Sequence, residues 1–493
     1  MSSIPDTLVL REARIGDRVT DVLITDGLIT EIAEGIRSTS EAVALDGRWL
    51  IPGLWDEHVH FSQWALKTRR LDVSTATSAR QAARMVHDAL AAAGPLPVDD
   101  GGRPLTFVAN GFRDGVWPDA PNLADLDEAG NGIPIVLISS DLHSVWLNTV
   151  ALEIYGHAGH PTGLIRETAA FAIENLVNAV PDSVLDPMVC DAAADATARG
   201  IVGIVDLEMA WNHDSWQRRM EAGNNRLRVE FGIYSEHIDR AIAAGLRTGQ
   251  RISDLLTVGR HKIITDGSLG TRTAFCFNEY PGMAGQPDAR GILVVPPEDL
   301  RGLLERSAGA GLLPAVHAIG DAANAHVLDV FEELGLAGGR IEHAQLVTDS
   351  DVARFAALGV EASVQPEHAM DDRDIVDRFW PDRTANAFML RSFADAGVRL
   401  VMGSDAPVAP LDPWITIAAA VGRARDGRDP WHAEQALTSA EALAASARTT
   451  VAVGEVADLA IVESDPIHSS ADALRAQSVA GTLLGGRWTH NTL

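Results

Sequence analysis

Two hydrophobic periods alternate along this chain. Short apolar runs bounded by Gly, Pro or Asp read as strands; between them apolar positions recur every three to four residues, the spacing of a helix face. The candidate strands are residues 50–60, 200–208, 228–234, 261–266, 313–320, 340–346, 360–365 and 399–405. Helical periodicity fills most of the gaps, as over 297–310 and 321–334. Eight strands separated by helices predict an α/β fold of the TIM-like (β/α)8 barrel type. The gap 61–199 is too long for one helix and holds two more strand-like runs, 106–112 and 133–140. It is expected to form an α/β insertion after the first strand, covering the barrel mouth.

The chain ends are patterned differently. Residues 20–25 and 28–32 flank Asp26-Gly27, a strong hairpin signal. The runs 456–462, 481–484 and 487–490 repeat the style, the last two around Gly485-Gly486. Both ends are expected to build one small β-sandwich domain from residues 1–50 and 451–493, leaving 51–450 to the barrel.

Composition then narrows the function classes. With 46% hydrophobic and 22% charged residues in 493, the chain has enough apolar surface to exclude intrinsic disorder. Two cysteines, Cys190 and Cys276, are too few for a disulfide-stapled module. A formal charge of -28 repels polyanions and argues against nucleic acid as a partner. No run approaches about 18 apolar residues, so no membrane partner is expected. Residues 1–6 lack a basic and apolar leader, which points to a cytoplasmic location. Of the 40 basic residues only Lys67 and Lys262 are lysines. Lysine loses its proton and reacts at nitrogen where arginine does not. Lys67, in Lys67-Thr68-Arg69-Arg70, reads as a solvated surface residue, whereas Lys262 lies in an apolar strand.

The chemistry gathers on the predicted strands. His58 and His60 are two apart, so a strand places both on one side, where two imidazoles can share a divalent metal. Lys262, His317, His343 and Asp405 each sit on or at the end of a further barrel strand. Barrel active sites form at the C-terminal ends of the strands, so these six residues are expected to converge. Cys276, the run Asp371-Asp372-Arg373-Asp374, and Trp55, Trp64, Trp117 and Trp146 read as packing or solvated positions. Gln365 and His368, at the end of the seventh strand, are candidates to shape the pocket.

The chain resembles the amidohydrolase superfamily, and within it the amidohydrolase family 3 branch that includes N-substituted formamide deformylases. The resemblance rests on the stretches Pro52-Gly53-Leu54-Trp55-Asp56-Glu57-His58-Val59-His60, Asp266-Gly267-Ser268-Leu269-Gly270-Thr271-Arg272-Thr273-Ala274, Val316-His317-Ala318-Ile319-Gly320-Asp321, Ile341-Glu342-His343-Ala344-Gln345, Ser363-Val364-Gln365-Pro366 and Gly403-Ser404-Asp405-Ala406-Pro407. It implies a metal-dependent hydrolase acting on a C–N bond of a small molecule, an amide or an N-acyl or N-formyl amine. His58, His60 and Asp405 would hold one divalent ion, Zn²⁺ in the first instance. His317 and His343 would hold a second or orient substrate, so one or two ions per chain are implied. Lys262 matches the position of a carboxylated lysine (N6-carboxylysine). Asp405 would also be catalytic, taking a proton from the attacking water and passing it to the leaving amine. His143, Asp266, Arg272 and Gln365 are the implied substrate-binding residues, with Leu142 standing where the family usually has Gly. A homodimer is the implied assembly. Two alternatives stay open: the same site acting on a lactone, ester or cyclic imide, and a catalytically inactive scaffold homologue. The scaffold predicts missing ligands, whereas all six candidates are present.

Overall fold

The computed structural model describes residues 7–93 and 105–493. Residues 1–6, on which the reading of cellular location rests, lie outside them. Eight parallel strands form a nearly closed barrel. In chain order they are β1 (Leu54–Val59), β2 (Ile201–Asp206), β3 (Arg228–Tyr234), β4 (Leu256–Ile264), β5 (Pro314–Ala318), β6 (Arg340–His343), β7 (Glu361–Val364) and β8 (Leu400–Met402). The helices Pro297–Gly309 and Asp321–Leu334 occupy the predicted positions, packing Leu300, Leu304, Val327 and Phe331 into the core around β5 and β6. Asp321–Leu334 stops at Gly335, whose φ of +59° suits glycine.

The single strand expected over 50–60 is two strands. Trp49–Pro52 pairs with Leu459–Val462 in a second sheet, and β1 begins two residues later. Gly53 is the joint: a Cβ there would meet Val202 of β2 at 2.4 Å, so only a bare backbone passes between the two sheets. The second sheet is mixed and draws its eight strands from both chain ends, around a core of its own that includes Leu8, Val22, Ile24, Leu459 and Leu483. Asp26 and Gly27 make the hairpin between Arg18–Thr25 and Leu28–Ala33 with φ of +51° and +79°, both in the left-handed region that the tight turn demands.

The segment after β1 carries a third sheet of five strands that includes Phe107–Phe112, Ile135–Ser139, Ser144–Leu147 and Leu164–Arg166. Trp117 and Trp146 are buried in its core, while Trp55 and Trp64 pack in clusters of the barrel. Among the described residues no helix is long and apolar enough to cross a membrane.

Candidate metal centre

The seam that closes the barrel builds the centre. The N–H of Asp405 donates to the carbonyl of His58 at 2.7 Å, and the N–H of His60 donates to that of Ala406 at 2.7 Å. Asp56 Oδ1 accepts the N–H groups of His58 and Ser404, each at 3.1 Å. At Gly403 a Cβ would lie 2.5 Å from the His58 nitrogen, so glycine permits this approach of β8 to β1. The resulting register brings Nε2 of His58 and Nε2 of His60 each to 3.3 Å from Asp405 Oδ1. All three side chains are buried, with donor atoms within 4.8 Å of one another.

A second buried triplet consists of His343, His368 and Asp405. Nδ1 of His343 and Nε2 of His368 lie 4.0 and 3.9 Å from Asp405 Oδ2. His343 reaches the cavity through backbone distortion. Neighbouring strand residues point to opposite sides, yet Glu342 and His343 both bond inside the barrel, because His343 turns to a φ of +74° and Ala344 to +42°. Asp405 also adopts a positive φ, +56°. Such conformations are uncommon for residues with a Cβ and cluster at functional sites. Nδ1 of His343 lies 2.9 Å from Gln365 Oε1, a contact that fixes the plane of the ring. His317 stands beside His343, ring centroids 4.5 Å apart, with its Nε2 3.3 Å from the Gly267 carbonyl oxygen.

These donors suit a divalent cation. The set is imidazole plus carboxylate, and Nε2 of His368 is buried without a hydrogen-bond partner among the described residues. Burial, followed by neighbouring positive charge, lowers the pKa of His58, and that of His317 and His343 well below the usual range, so the rings keep lone pairs for a cation. Burial opposes charge on Asp405 too, but His58 and His60 outweigh it and hold the carboxylate ionised. Burial also lowers the pKa of Lys262, whose side chain reaches the same cavity.

The cavity above the centre opens to solvent, with about 1090 Å³ of empty space when its open mouth is included. Its floor carries His58, His60, Lys262, His317, His343, His368 and Asp405, and its flank includes Phe112, Leu142, Phe171, Leu269, Ile319 and Ile375. His143 lines it from the insertion, with Nδ1 2.9 Å from Glu167 Oε2. Burial disfavours the charged ring, Glu167 more than offsets this, and the pKa stands at about 9. Leu142 takes a φ of +62°, the backbone state that glycine adopts freely. The other three implied substrate-binding residues stand behind the wall. Asp266 accepts backbone N–H groups of Phe275, Ile319 and Gly320 at 2.8–3.1 Å and fixes their loops. The Arg272 guanidinium lies 5.5 Å from the Phe379 ring centre. Gln365 orients His343, as described.

Two polar readings are corrected. Asp371–Asp374 is not a solvated turn: it lies in the helix Pro366–Phe379, and Asp371 and Asp372 line the cavity. Asp371 is bridged to Arg113 and Arg425 at 3.0 and 2.9 Å. Burial pushes the Asp372 carboxyl up to about 6. Lys67 is not freely solvated either, because its Nζ donates to the Pro407 carbonyl at 2.6 Å and anchors the loop after β8. Two carboxylates that sequence reasoning did not single out hold imidazoles: Glu342 on His58 and Glu167 on His143. Glu342 sits in the Ile-Glu-His motif next to a candidate ligand, which was its one sequence signal.

The amidohydrolase family profile matches residues 41–490. The chain is 27% identical over 537 aligned residues to the Arabidopsis thaliana protein LONG AFTER FAR-RED 3, covering 99% of this chain and 89% of that one. It is 23% identical over 530 to the N-substituted formamide deformylase of Arthrobacter pascens, covering 94% of each. The crystal structure of an uncharacterized metal-dependent hydrolase from Pyrococcus horikoshii shares the fold, with a TM-score of 0.76, 24% identity, and coverage of 94% of this chain and 99% of that one.

Proposed function

Since the chain belongs to the amidohydrolase family, we propose that it hydrolyses a C–N bond of a small N-acyl or N-formyl amine. The observation that carries this reading is the convergence of His58 Nε2 and His60 Nε2 on Asp405 Oδ1, each at 3.3 Å, on the floor of a deep cavity. The similarity to a protein named for removing formyl groups from N-substituted formamides supports the bond class. His58, His60 and Asp405 would hold one divalent ion, with Zn²⁺ the candidate, and His343 and His368 with Asp405 a second. When bound, such an ion acidifies water toward neutral pH and polarises a carbonyl group.

The chain's own residues do the rest. Asp405, ionised, takes a proton from the attacking water and hands it to the leaving nitrogen as the C–N bond breaks. Glu342 and Gln365 fix the rings of His58 and His343, so neither ligand swings during turnover. Burial favours the neutral amine of Lys262, the form that adds carbon dioxide. Its Nζ gains a bond to carbon and loses a proton, and the resulting carbamate offers anionic oxygen donors. The apolar flank receives the body of the substrate and excludes water from the floor.

The test is elemental analysis of purified protein beside Lys262→Ala, with amine release followed on a panel of N-formyl and N-acyl amines and matched esters. Divalent metal in the wild type, lost with activity on chelation and restored by Zn²⁺ and bicarbonate, is expected. Ester cleavage without amide cleavage would replace the bond class. Protein that binds no metal after reconstitution would overturn the hydrolase reading.

A further inference from the structure

Among the insertion residues at the cavity, His143 is paired with a buried carboxylate, Glu167. The strands Ser144–Leu147 and Leu164–Arg166 run antiparallel with Ser144 opposite Arg166, which sets His143 against Glu167. The N–H of Glu167 donates to the His143 carbonyl at 2.9 Å, and Nδ1 of the His143 ring lies 2.9 Å from Glu167 Oε2. Glu167 is held in its turn: Oε1 accepts from the hydroxyls of Thr271 at 3.0 Å and Thr273 at 2.5 Å. Both threonines belong to the loop after β4, the strand that carries Lys262. A Cβ at Gly267 would lie 2.0 Å from Thr273 Oγ1 and 3.0 Å from Glu167 Oε1, so glycine makes room for this junction. A second latch runs beside it, from Ser268 Oγ to Asp141 Oδ2 at 2.8 Å.

The pair is costlier than packing requires. Glu167 is buried at a φ of +54°, and its carboxylate makes three side-chain hydrogen bonds. It does not line the cavity, whereas His143 does. His143 belongs to neither candidate metal triplet. With Nδ1 committed to Glu167, the free nitrogen of the ring is Nε2, which has no hydrogen-bond partner among the described residues, and the ring centre lies 5.9 Å from that of His317.

We propose that Glu167 is a positioning residue for the hydrolytic reaction: anchored by Thr271 and Thr273, it locks the His143 ring so that Nε2 meets the amide unit of the substrate. This rests on the reading of the centre as a hydrolase. It makes His143 a catalytic residue and makes the insertion part of the site, because barrel loop and insertion fix the ring together. Preorganised polar groups of this kind act on the transition state more than on substrate binding.

The test uses metal-replete, full-length enzyme with p-nitroformanilide and p-nitroacetanilide as probes. Glu167→Gln is expected to lower kcat about 10- to 100-fold with KM within about twofold. Thr273→Val, which leaves both partners in place, should give a smaller loss in kcat. In a double-mutant cycle, Glu167→Gln should add almost nothing to His143→Gln. A low-field proton resonance from the His143 Nδ1–H should be present in the wild type, absent in His143→Gln, and displaced or lost in Glu167→Gln at unchanged circular dichroism and metal content. An active enzyme in which the two losses multiply, or in which Glu167→Gln leaves kcat and the resonance unchanged, overturns the positioning role alone. An enzyme with the resonance intact that cleaves neither the anilides nor any amide of the wider panel overturns the hydrolase reading, and the positioning role with it.

Discussion

Glu342 accepts the Nδ1–H of His58 at 2.7 Å, with both side chains sealed inside the barrel. The direction of the bond follows from charge. Burial opposes ionisation of Glu342, but His58, Lys262 and Arg340 outweigh it and hold its pKa at about 2, so the carboxylate only accepts. The proton is therefore on Nδ1, and Nε2 is left with a lone pair facing Asp405. Glu342→Gln retains the volume but weakens that control of the ring. Metal affinity is expected to fall about 10- to 100-fold, measured by competition with a chromogenic chelator. An unchanged affinity would show that His58 needs no such partner.

A different ionic group sits on the same strand, one residue before His58. Glu57 is buried between Arg340, at 3.1 Å, and Arg448, at 2.6 Å. Burial alone would raise its pKa, but the two guanidiniums win and hold it at about 2, below its ordinary 4.5. A depressed carboxylate pKa stabilises the fold above the unfolded value, and that contribution is lost as pH falls from about 4.5 through about 2. Glu57→Gln leaves Arg340 paired with Glu361 and Arg448 with Glu230, so it removes the shared anion without isolating either cation and is expected to destabilise the protein at neutral pH by about 1–3 kcal/mol. The gap should narrow on acidification. Denaturant melts at pH 7 and pH 4 would check this, and a gap that widened in acid would contradict it.

The two cysteines should react very differently. Burial pushes the Cys276 thiol up to about 12, and its side chain packs beside Tyr280 in the core. Cys190, on the helix Asp182–Thr197, is half-buried. A disulfide reagent at pH 8 should therefore modify one thiol in the native protein and two in denaturant. Fast modification of both in the native state would place Cys276 outside the core.

Leu142 occupies two roles that pull apart. Its φ of +62° strains a residue with a Cβ, and its side chain walls the cavity. Leu142→Gly should relieve about 1 kcal/mol of backbone strain while removing apolar contact with substrate. A melting temperature that does not fall, together with a raised KM for apolar N-acyl amines, is the expected pair of results. A large loss of stability would mean that the packing of Leu142 outweighs its backbone strain.

Much of this architecture was legible from local pattern. The helices at 297–310 and 321–334, the Asp26-Gly27 hairpin and the barrel strand order follow from spacing and turn chemistry that neighbouring residues report. The errors lie where long-range contacts decide. Nothing near Gly53 states that the run 50–60 is shared between two sheets; Val202, far along the chain, imposes it. The acids at 371–374 look like a solvated turn until their helix is set against the cavity. The alternation rule sends His343 away from Glu342, and only the bent backbone returns it to the cavity.

The sequence alone determined the inventory: two histidines two residues apart, an aspartate after the last barrel strand, one lysine held in an apolar strand, and the order in which the barrel presents them. Those are local properties, set by period and residue type. Tertiary structure decided the partnerships: that His58 and His60 share an oxygen of Asp405, that His368 joins His343, and that Glu342 and Glu167 each hold an imidazole. Such partnerships depend on register between strands remote in sequence, where differences of a few ångströms decide whether donor atoms meet, and no local pattern encodes that distance.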